Sequence, residues 1–222
     1  MPRAVKPVDR IQQNLLAVAE RRLLNWICAR LPASVTPDRL TTLGFVGAFV
    51  IAAGYVLSLW DVHWLWLSIA GYFVHWTGDS LDGSIARFRK IERPNFGYFI
   101  DHSTDALANL IFLAGLGISP YVRLDIALFA LIGYLLLSIH AFLAARVLGE
   151  MRLSYLAGGP TELRLILIAM TLLMLFFGNI PSFVDHVSAY DVFVGGVGCL
   201  MILLFVIQTT KTARHLLQRG ED

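Results

Sequence analysis

The chain has 222 residues, of which 57% are hydrophobic and only 15% are charged, and its mean hydropathy is +0.66. A charged fraction well below the ~25% of ordinary soluble domains argues against a typical water-soluble protein and indicates several membrane helices. The net charge of +2 is too small to favour nucleic acid, and the distant Cys28 and Cys199 provide neither a disulfide framework nor a zinc motif.

The N-terminal segment, residues 1–37, begins with basic residues but lacks the continuous apolar core of a cleaved secretory signal. From Asp9 to Leu31 the apolar residues follow a helical period, and charged residues interrupt them too often for a membrane span. This pattern predicts an amphipathic helix lying in the cytoplasmic interface of a membrane. A helix packed on a soluble partner is the alternative interpretation.

The next segment, residues 38–222, is predicted to form a six-helix transmembrane domain. Thr36 and Pro37 supply an N-cap and a first-turn proline, so the first span should run from Asp38 to Trp60. Proline and glycine breaks then delimit the remaining spans at residues 62–88, 96–118, 122–146, 161–180 and 190–212. The expected fold class is therefore all-α and polytopic.

The distribution of basic residues predicts the orientation of this domain. Of the 18 Lys and Arg residues, all except Arg123 fall at one face of an even-numbered topology. The positive-inside rule then places both termini in the cytoplasm, in a membrane of the inner or cytoplasmic type. Trp60, Trp64 and Trp66 fit an aromatic belt at the opposite face.

The most informative stretch runs from Asp79 to Asp105. Asp79 and Asp82 are spaced i, i+3, and Asp101 and Asp105 are spaced i, i+4, so each pair should share one face of a helix. Both pairs border apolar segments, and acids inside membrane helices face a cavity, a partner or an ion. Repulsion among four carboxylates would be relieved by divalent cations, so the pattern predicts a metal site.

Three alternatives to that interpretation remain. Carboxylate pairs on helices are commonly surface charge, although the apolar flanks argue against it here. A cation transporter or channel would also use acids in a helix bundle, but it would spread them along a route through the membrane. A catalytically inactive scaffold should have lost one of the aspartates.

Small and basic residues accompany the aspartates. Gly83 and Ala86 leave one helix flank bare, so a ligand can approach the backbone, although helix packing is the common role of such residues. Arg87 lies on the same face and can pair with phosphate oxygens, or it can extend to the membrane interface.

The stretch from Asp79 to Asp105 resembles the signature of the CDP-alcohol phosphotransferase family. That signature is Asp-x-x-Asp-Gly-x-x-Ala-Arg followed by Gly-x-x-x-Asp-x-x-x-Asp, and this chain has DSLDGSIAR and GYFIDHSTD. Every defining residue is present: Asp79, Asp82, Gly83, Ala86, Arg87, Gly97, Asp101 and Asp105. The connection before Gly97 is one residue longer than is common in the family.

The resemblance implies an enzyme of phospholipid biosynthesis that transfers a phosphoalcohol group from a CDP-alcohol to an acceptor alcohol and releases CMP. It implies that two divalent ions, Mg²⁺ or Mn²⁺, are held by Asp79, Asp82, Asp101 and Asp105. Asp105 would also act as the catalytic base. Gly83, Ala86, Arg87 and Gly97 would then border the nucleotide and its diphosphate, and the resemblance also suggests a homodimer.

A further set of residues is assigned to the acceptor or to support of the site, each with a plainer alternative. Thr41 belongs to a segment that resembles a Pro-Asn-x-x-Thr element, with Asp38 in place of Asn, and helix capping also explains it. His102 adjoins Asp101 and could orient the base or contact the acceptor. Glu162 resembles part of the choline and ethanolamine phosphotransferase branch, although it also complements a helix dipole.

The sequence leaves the two substrates open. The donor can be CDP-diacylglycerol or a CDP-aminoalcohol. Arg146, Arg152 and Arg164 lie near the cytoplasmic ends of the fourth and fifth spans and could bind an acceptor phosphate. The positive-inside rule explains the same three positions.

Overall fold

A computed structural model describes residues 9–11, 17–148, 150–152, 160–182 and 186–219. These residues form seven α-helices: α1 (Ala17–Cys28), α2 (Pro37–Leu57), α3 (Leu65–Arg89), α4 (Pro94–Ile118), α5 (Leu124–Leu148), α6 (Pro160–Phe177) and α7 (Ala189–Arg219). A 3₁₀ turn, Val62–Trp64, precedes α3. Two three-residue strands, β1 (Asp9–Ile11) and β2 (Glu150–Arg152), pair in parallel. The prediction of an essentially helical chain is confirmed.

Local capping explains where two of the helices begin. The Thr36 side chain accepts a hydrogen bond from the Arg39 amide at 3.4 Å, and Pro37 opens α2, as the sequence predicts. At α7, Ser188 Oγ accepts from the Asp191 amide at 2.9 Å, and Asp191 Oδ2 accepts from the Ser188 amide at 2.9 Å. This reciprocal capping box satisfies amide groups that the helix itself leaves unpaired.

The N-terminal helix is shorter than predicted. Among the described residues of the predicted stretch 9–31, those from Ala17 to Cys28 form α1, whereas Asp9–Ile11 is extended. The backbone of β1 pairs with β2, so a contact distant in sequence overrides the local helical period there. On α1, Leu24 and Cys28 are buried against α3, whereas Val18 and Trp26 are exposed.

Within the described part of the chain, three helices are long and apolar enough to cross a membrane: Pro37–Leu57, Leu124–Leu148 and Ala189–Gln218. Two further long helices, α3 and α4, have 25 residues each and carry the four aspartates of the motif. Those polar side chains lower the mean hydropathy of α3 and α4. The length of each helix, about 37 Å, nevertheless exceeds the ~30 Å thickness of a hydrocarbon core.

Close packing between α2 and α3 sets the frame of the bundle. A Cβ atom added to Gly47 would lie 2.5 Å from the His75 amide nitrogen, and one added to Gly44 would lie 3.1 Å from that of Asp79. Only glycine permits this approach of the two backbones. Further contacts join α2 to α4, α4 to α5, α5 to α7, α6 to α3, and α1 to α3. The N-terminal ends of α2, α4 and α6 thereby meet the C-terminal end of α3.

Candidate metal and phosphate site

Three carboxylates, carried by α3 and α4, converge at one point. One oxygen from each of Asp79, Asp101 and Asp105 lies within 4.8 Å of the others, and all three side chains are partly buried. We call these three residues the carboxylate cluster. The i, i+4 spacing puts Asp101 and Asp105 on one face of α4, and Asp79 of α3 lies at the same point.

The fourth aspartate lies beside this cluster without joining it. Asp82 Oδ2 accepts a hydrogen bond from Thr41 Oγ1 at 2.7 Å, and Asp82 Oδ1 accepts from the Gly83 amide. The carboxylate is therefore held on the α2 side of the site. It still lines the same small pocket as Thr41, Asp79 and Asp105. Its role as a metal ligand stays a prediction.

A basic side chain from α6 neutralises part of the cluster. The Arg164 guanidinium donates to Asp79 Oδ2 and forms an ion pair with it, and only 13% of the Arg164 side chain is exposed. An arginine inside an otherwise apolar helix needs such a partner. The sequence offers an acceptor phosphate as the partner of Arg164 and does not indicate Asp79, because nothing local shows which helix α6 faces.

The donor atoms at this site suit a hard divalent cation. Carboxylate oxygens are the ligands that Mg²⁺ and Mn²⁺ prefer. His75 lies one helical turn before Asp79, is only 4% exposed and lines the same pocket. Its Nδ1 atom has no hydrogen-bond partner among the described residues. An unpartnered buried nitrogen beside three carboxylates fits a site that receives a ligand.

The residues predicted to border the nucleotide form an open rim around the C-terminal end of α3. Arg87 is exposed, and its Nη1 atom lies 3.3 Å from a Cβ atom placed on Gly83, so these two residues share one helix face as predicted. Ala86 is half-buried, and a Cβ atom on Gly97 would meet nothing within 4 Å. The space above this end of the helix therefore admits a ligand.

The secondary candidates occupy different positions on α4, α5 and α6. His102 Nδ1 is 3.9 Å from Asp101 Oδ2, and the His102 ring packs against Tyr98 and Phe142 at centroid distances of 4.3 and 4.8 Å. Glu162 lies in the first turn of α6, and Arg146 lies exposed in the last turn of α5. These last two positions agree with stabilisation of helix dipoles.

Comparison with known proteins matches the chain to a family model and to a relative. A family model described as CDP-alcohol phosphatidyltransferase matches residues 34–210. The archaetidylinositol phosphate synthase of Pyrococcus horikoshii is 25% identical over 138 residues, which is 62% of this chain and 62% of that protein. The chain thus spans about 62% of the length of this relative.

Proposed function

The chain belongs to the CDP-alcohol phosphatidyltransferase family, and on that premise we propose that it transfers a phosphoalcohol group from a CDP-alcohol to an acceptor alcohol and releases CMP. The observation that carries the proposal is the convergence of Asp79, Asp101 and Asp105 beside the open rim at Arg87. Divalent cations held by these acids would bind a diphosphate, because that group carries negative charge and hard oxygen atoms.

We assign divalent cations, Mg²⁺ or Mn²⁺, to Asp79, Asp82, Asp101 and Asp105, and two ions are expected. When bound, two such ions would neutralise the diphosphate and stabilise both the attacking and the leaving oxygen. We include Asp82 because it lines the same pocket as Asp79 and Asp105.

The protein's own side chains would orient the substrates and move the proton. Arg87 would pair with phosphate oxygens, and the bare flank at Gly83 and Ala86 would let the nucleotide lie close to the helix. Asp105 would accept the proton of the acceptor hydroxyl at a carboxylate oxygen, because it lies one turn further into α4 than Asp101. His102 and Thr41 would position Asp101 and Asp82.

We propose that six helices, α2 to α7, cross the membrane, with residues 1–37 outside the spanning domain of residues 38–222. Both termini and the site would face the cytoplasm, and α1 would lie in that interface with Val18 and Trp26 toward lipid. A water-soluble nucleotide and a lipid would then meet at the same face. A homodimer is part of this expectation.

Two substrate arrangements suit such a site. The donor is either CDP-diacylglycerol with a polar acceptor, or a CDP-aminoalcohol with a diacylglycerol acceptor. The name of the Pyrococcus relative, a synthase of archaetidylinositol phosphate, favours a polar acceptor that carries a phosphate. Arg146 is the exposed cation near the cytoplasmic end of α5 that we assign to such an acceptor.

The test is release of radiolabelled CMP by the purified protein in lipid nanodiscs, measured across both donors and a panel of acceptors with Mg²⁺ or Mn²⁺. One donor–acceptor pair should support turnover, and excess chelator should abolish it until metal is restored. Full activity in chelator would contradict the metal assignment, and no CMP release with any pair would contradict the reaction.

The alternative of an ion pathway requires acids at successive depths of the bundle. The buried Asp191 lies at the opposite end, but it accepts hydrogen bonds from the amides of Arg123 and Ser188 at 2.7 and 2.9 Å. Its role is therefore explained by capping of α7. We favour the enzyme.

A further inference from the structure

A carboxylate on the N-terminal helix reaches into the bundle beside the proposed metal site. Glu20, on α1, accepts hydrogen bonds from Trp76 Nε1 at 2.9 Å and from Thr161 Oγ1 at 2.9 Å, both at its Oε1 atom. Thr161 also lies 3.0 Å from Glu20 Oε2, and Ser80 Oγ lies 3.4 Å from Oε1. We call these four residues the Glu20 network.

The Glu20 network joins the two helices that carry the Arg164–Asp79 ion pair. On α3, Trp76 precedes Asp79 by three residues; on α6, Thr161 precedes Arg164 by three residues. Residues three apart share a helix face, so Trp76 and Thr161 point into the same seam between α3 and α6 as the two members of the ion pair. The two helices are therefore linked twice, once by Glu20 and once by the ion pair.

The link to Thr161 acts on the part of α6 that places Arg164. Thr161 stands in the first turn of α6, where amide groups lack helical partners and the helix end is held mainly by side-chain contacts. Because Glu20 holds this turn against α3, it also determines the direction in which the Arg164 side chain extends from α6. The Arg164 side chain is long, so its ion pair depends on that anchor.

We propose that Glu20 is a positioning residue that holds Arg164 on Asp79 through Thr161 and thereby lowers the affinity of the carboxylate cluster for a divalent cation. The inference rests on the proposed function, which assigns metal to this cluster. Arg164 and a metal ion compete for the same carboxylate, so whatever strengthens the ion pair weakens metal binding. A change in the position of α1 at the membrane surface would therefore change the cation affinity of the carboxylate cluster.

A purely structural role for Glu20 makes the opposite prediction for metal binding. General loosening of the bundle would separate Asp79 from Asp101 and Asp105 and would weaken cation binding. Release of Arg164 would instead free Asp79 and strengthen cation binding. The sign of the change in Mn²⁺ affinity therefore separates the two roles, and it does so without turnover.

The experiment measures Mn²⁺ binding to the full-length protein in nanodiscs by electron paramagnetic resonance. Glu20→Ala and Thr161→Val should each lower the Mn²⁺ dissociation constant about fivefold or more, a typical coupling between linked sites. Glu20→Gln keeps an oxygen acceptor while removing the charge, so it should stay within about twofold of wild type. Arg21→Ala, an exposed change on the same helix, is the matched control and should have no effect.

The Arg164→Gln background completes the test. Arg164→Gln should itself tighten Mn²⁺ binding, and adding Glu20→Ala or Thr161→Val should then change nothing, because the contact that they support is already gone. Weaker Mn²⁺ binding in Thr161→Val, or an equal effect of Glu20→Ala with and without Arg164, would overturn the inference. Wild-type protein that binds no Mn²⁺ would also overturn it, whereas Mn²⁺ binding without CMP release would contradict only the proposed reaction.

Discussion

The four aspartates of the site differ in the groups that contact them. Asp79 pairs with Arg164, Asp82 accepts from Thr41, and Asp101 and Asp105 lie on one face of α4. Carboxylates of the same residue type can therefore serve different purposes, because the groups that face them differ. Two predictions separate these purposes.

The first concerns Asp105 as the proposed base. Asp105→Asn should leave metal-dependent CDP binding largely intact, because Asp79, Asp82 and Asp101 still offer carboxylate oxygens. It should lower turnover about 10²-fold or more, because an amide does not accept the proton of the acceptor. CDP-dependent thermal stabilisation and CMP release are measured side by side, with Asp79→Asn as the comparison that should lose both. Turnover above roughly a tenth of wild type in Asp105→Asn would shift attention to His102.

The second concerns the hydroxyl that holds Asp82. Thr41→Val keeps the shape of the side chain and removes the donor to the Asp82 carboxylate, a contact of the charged class worth about 1.5–3 kcal/mol. Turnover should fall about tenfold or more if Asp82 must keep this orientation. Thr42→Val is the matched control, since Thr42 Oγ1 donates at 2.9 Å to the Asp38 carbonyl on an exposed face. Equal rates for the two variants would show that Asp82 needs no support from α2.

Among the helices, the contact between α2 and α3 decides the geometry of the site. Glycines let the two backbones touch, and this approach brings Thr41 near the start of α2 within reach of Asp82 near the end of α3. Buried Tyr55, Tyr72 and Thr171 join α2, α3 and α6 below the site, with Tyr55 Oη 2.6 Å from Thr171 Oγ1 and 3.2 Å from Tyr72 Oη. The three helices are thus held together at two depths.

Gly47→Ala tests the helix contact directly. Its new methyl group would lie 2.5 Å from the His75 amide nitrogen, so α2 must shift away from α3. Overpacking of this kind costs about 1–3 kcal/mol, and the melting temperature in detergent should fall. Gly196→Ala in α7 is the control, because nothing lies within 4 Å of its added Cβ atom and alanine favours a helix. An unchanged melting temperature for Gly47→Ala would mean that the helices separate at no cost.

At the level of the whole molecule, basic residues are concentrated at one end of the helix bundle. The α3–α4 connection carries the basic residues Lys90 and Arg93, and Arg89 donates to the carbonyls of Val35 and Leu31 at 2.6 and 3.0 Å, which ties α3 to the segment after α1. The opposite end carries the exposed Trp60. This asymmetry is the basis of the proposed orientation.

A labelling experiment in sealed vesicles tests that orientation. A cysteine at the exposed Glu92, in the α3–α4 connection, should react with an impermeant maleimide only from the cytoplasmic side, and one at the exposed Asp61 only from the other side. Background from Cys28 should be low, because burial raises the pKa of its thiol and leaves little thiolate to react. Cys199 is replaced by serine beforehand. Reversed labelling of both positions would overturn the topology.

The sequence determined the class of this protein and most of its helices. Apolar periodicity, proline and glycine breaks and the Thr36 cap are local features, so α2 to α7 begin within a few residues of their predicted starts. The motif from Asp79 to Asp105 is likewise local, and the family that it indicates is confirmed. The predicted length of α1 was wrong, because β1 pairs with a segment distant in the chain.

Only the tertiary structure decided which charged groups meet. The spacing of the aspartates predicts shared helix faces, but how α2, α3, α4 and α6 rotate and cross depends on packing across helices. That packing brings Asp79, Asp101 and Asp105 together, holds Asp82 on Thr41, and sets Arg164 and Glu20 into the same seam. These contacts join residues far apart in the chain, so their partners are determined by helix geometry, for which a local sequence pattern contains no signal.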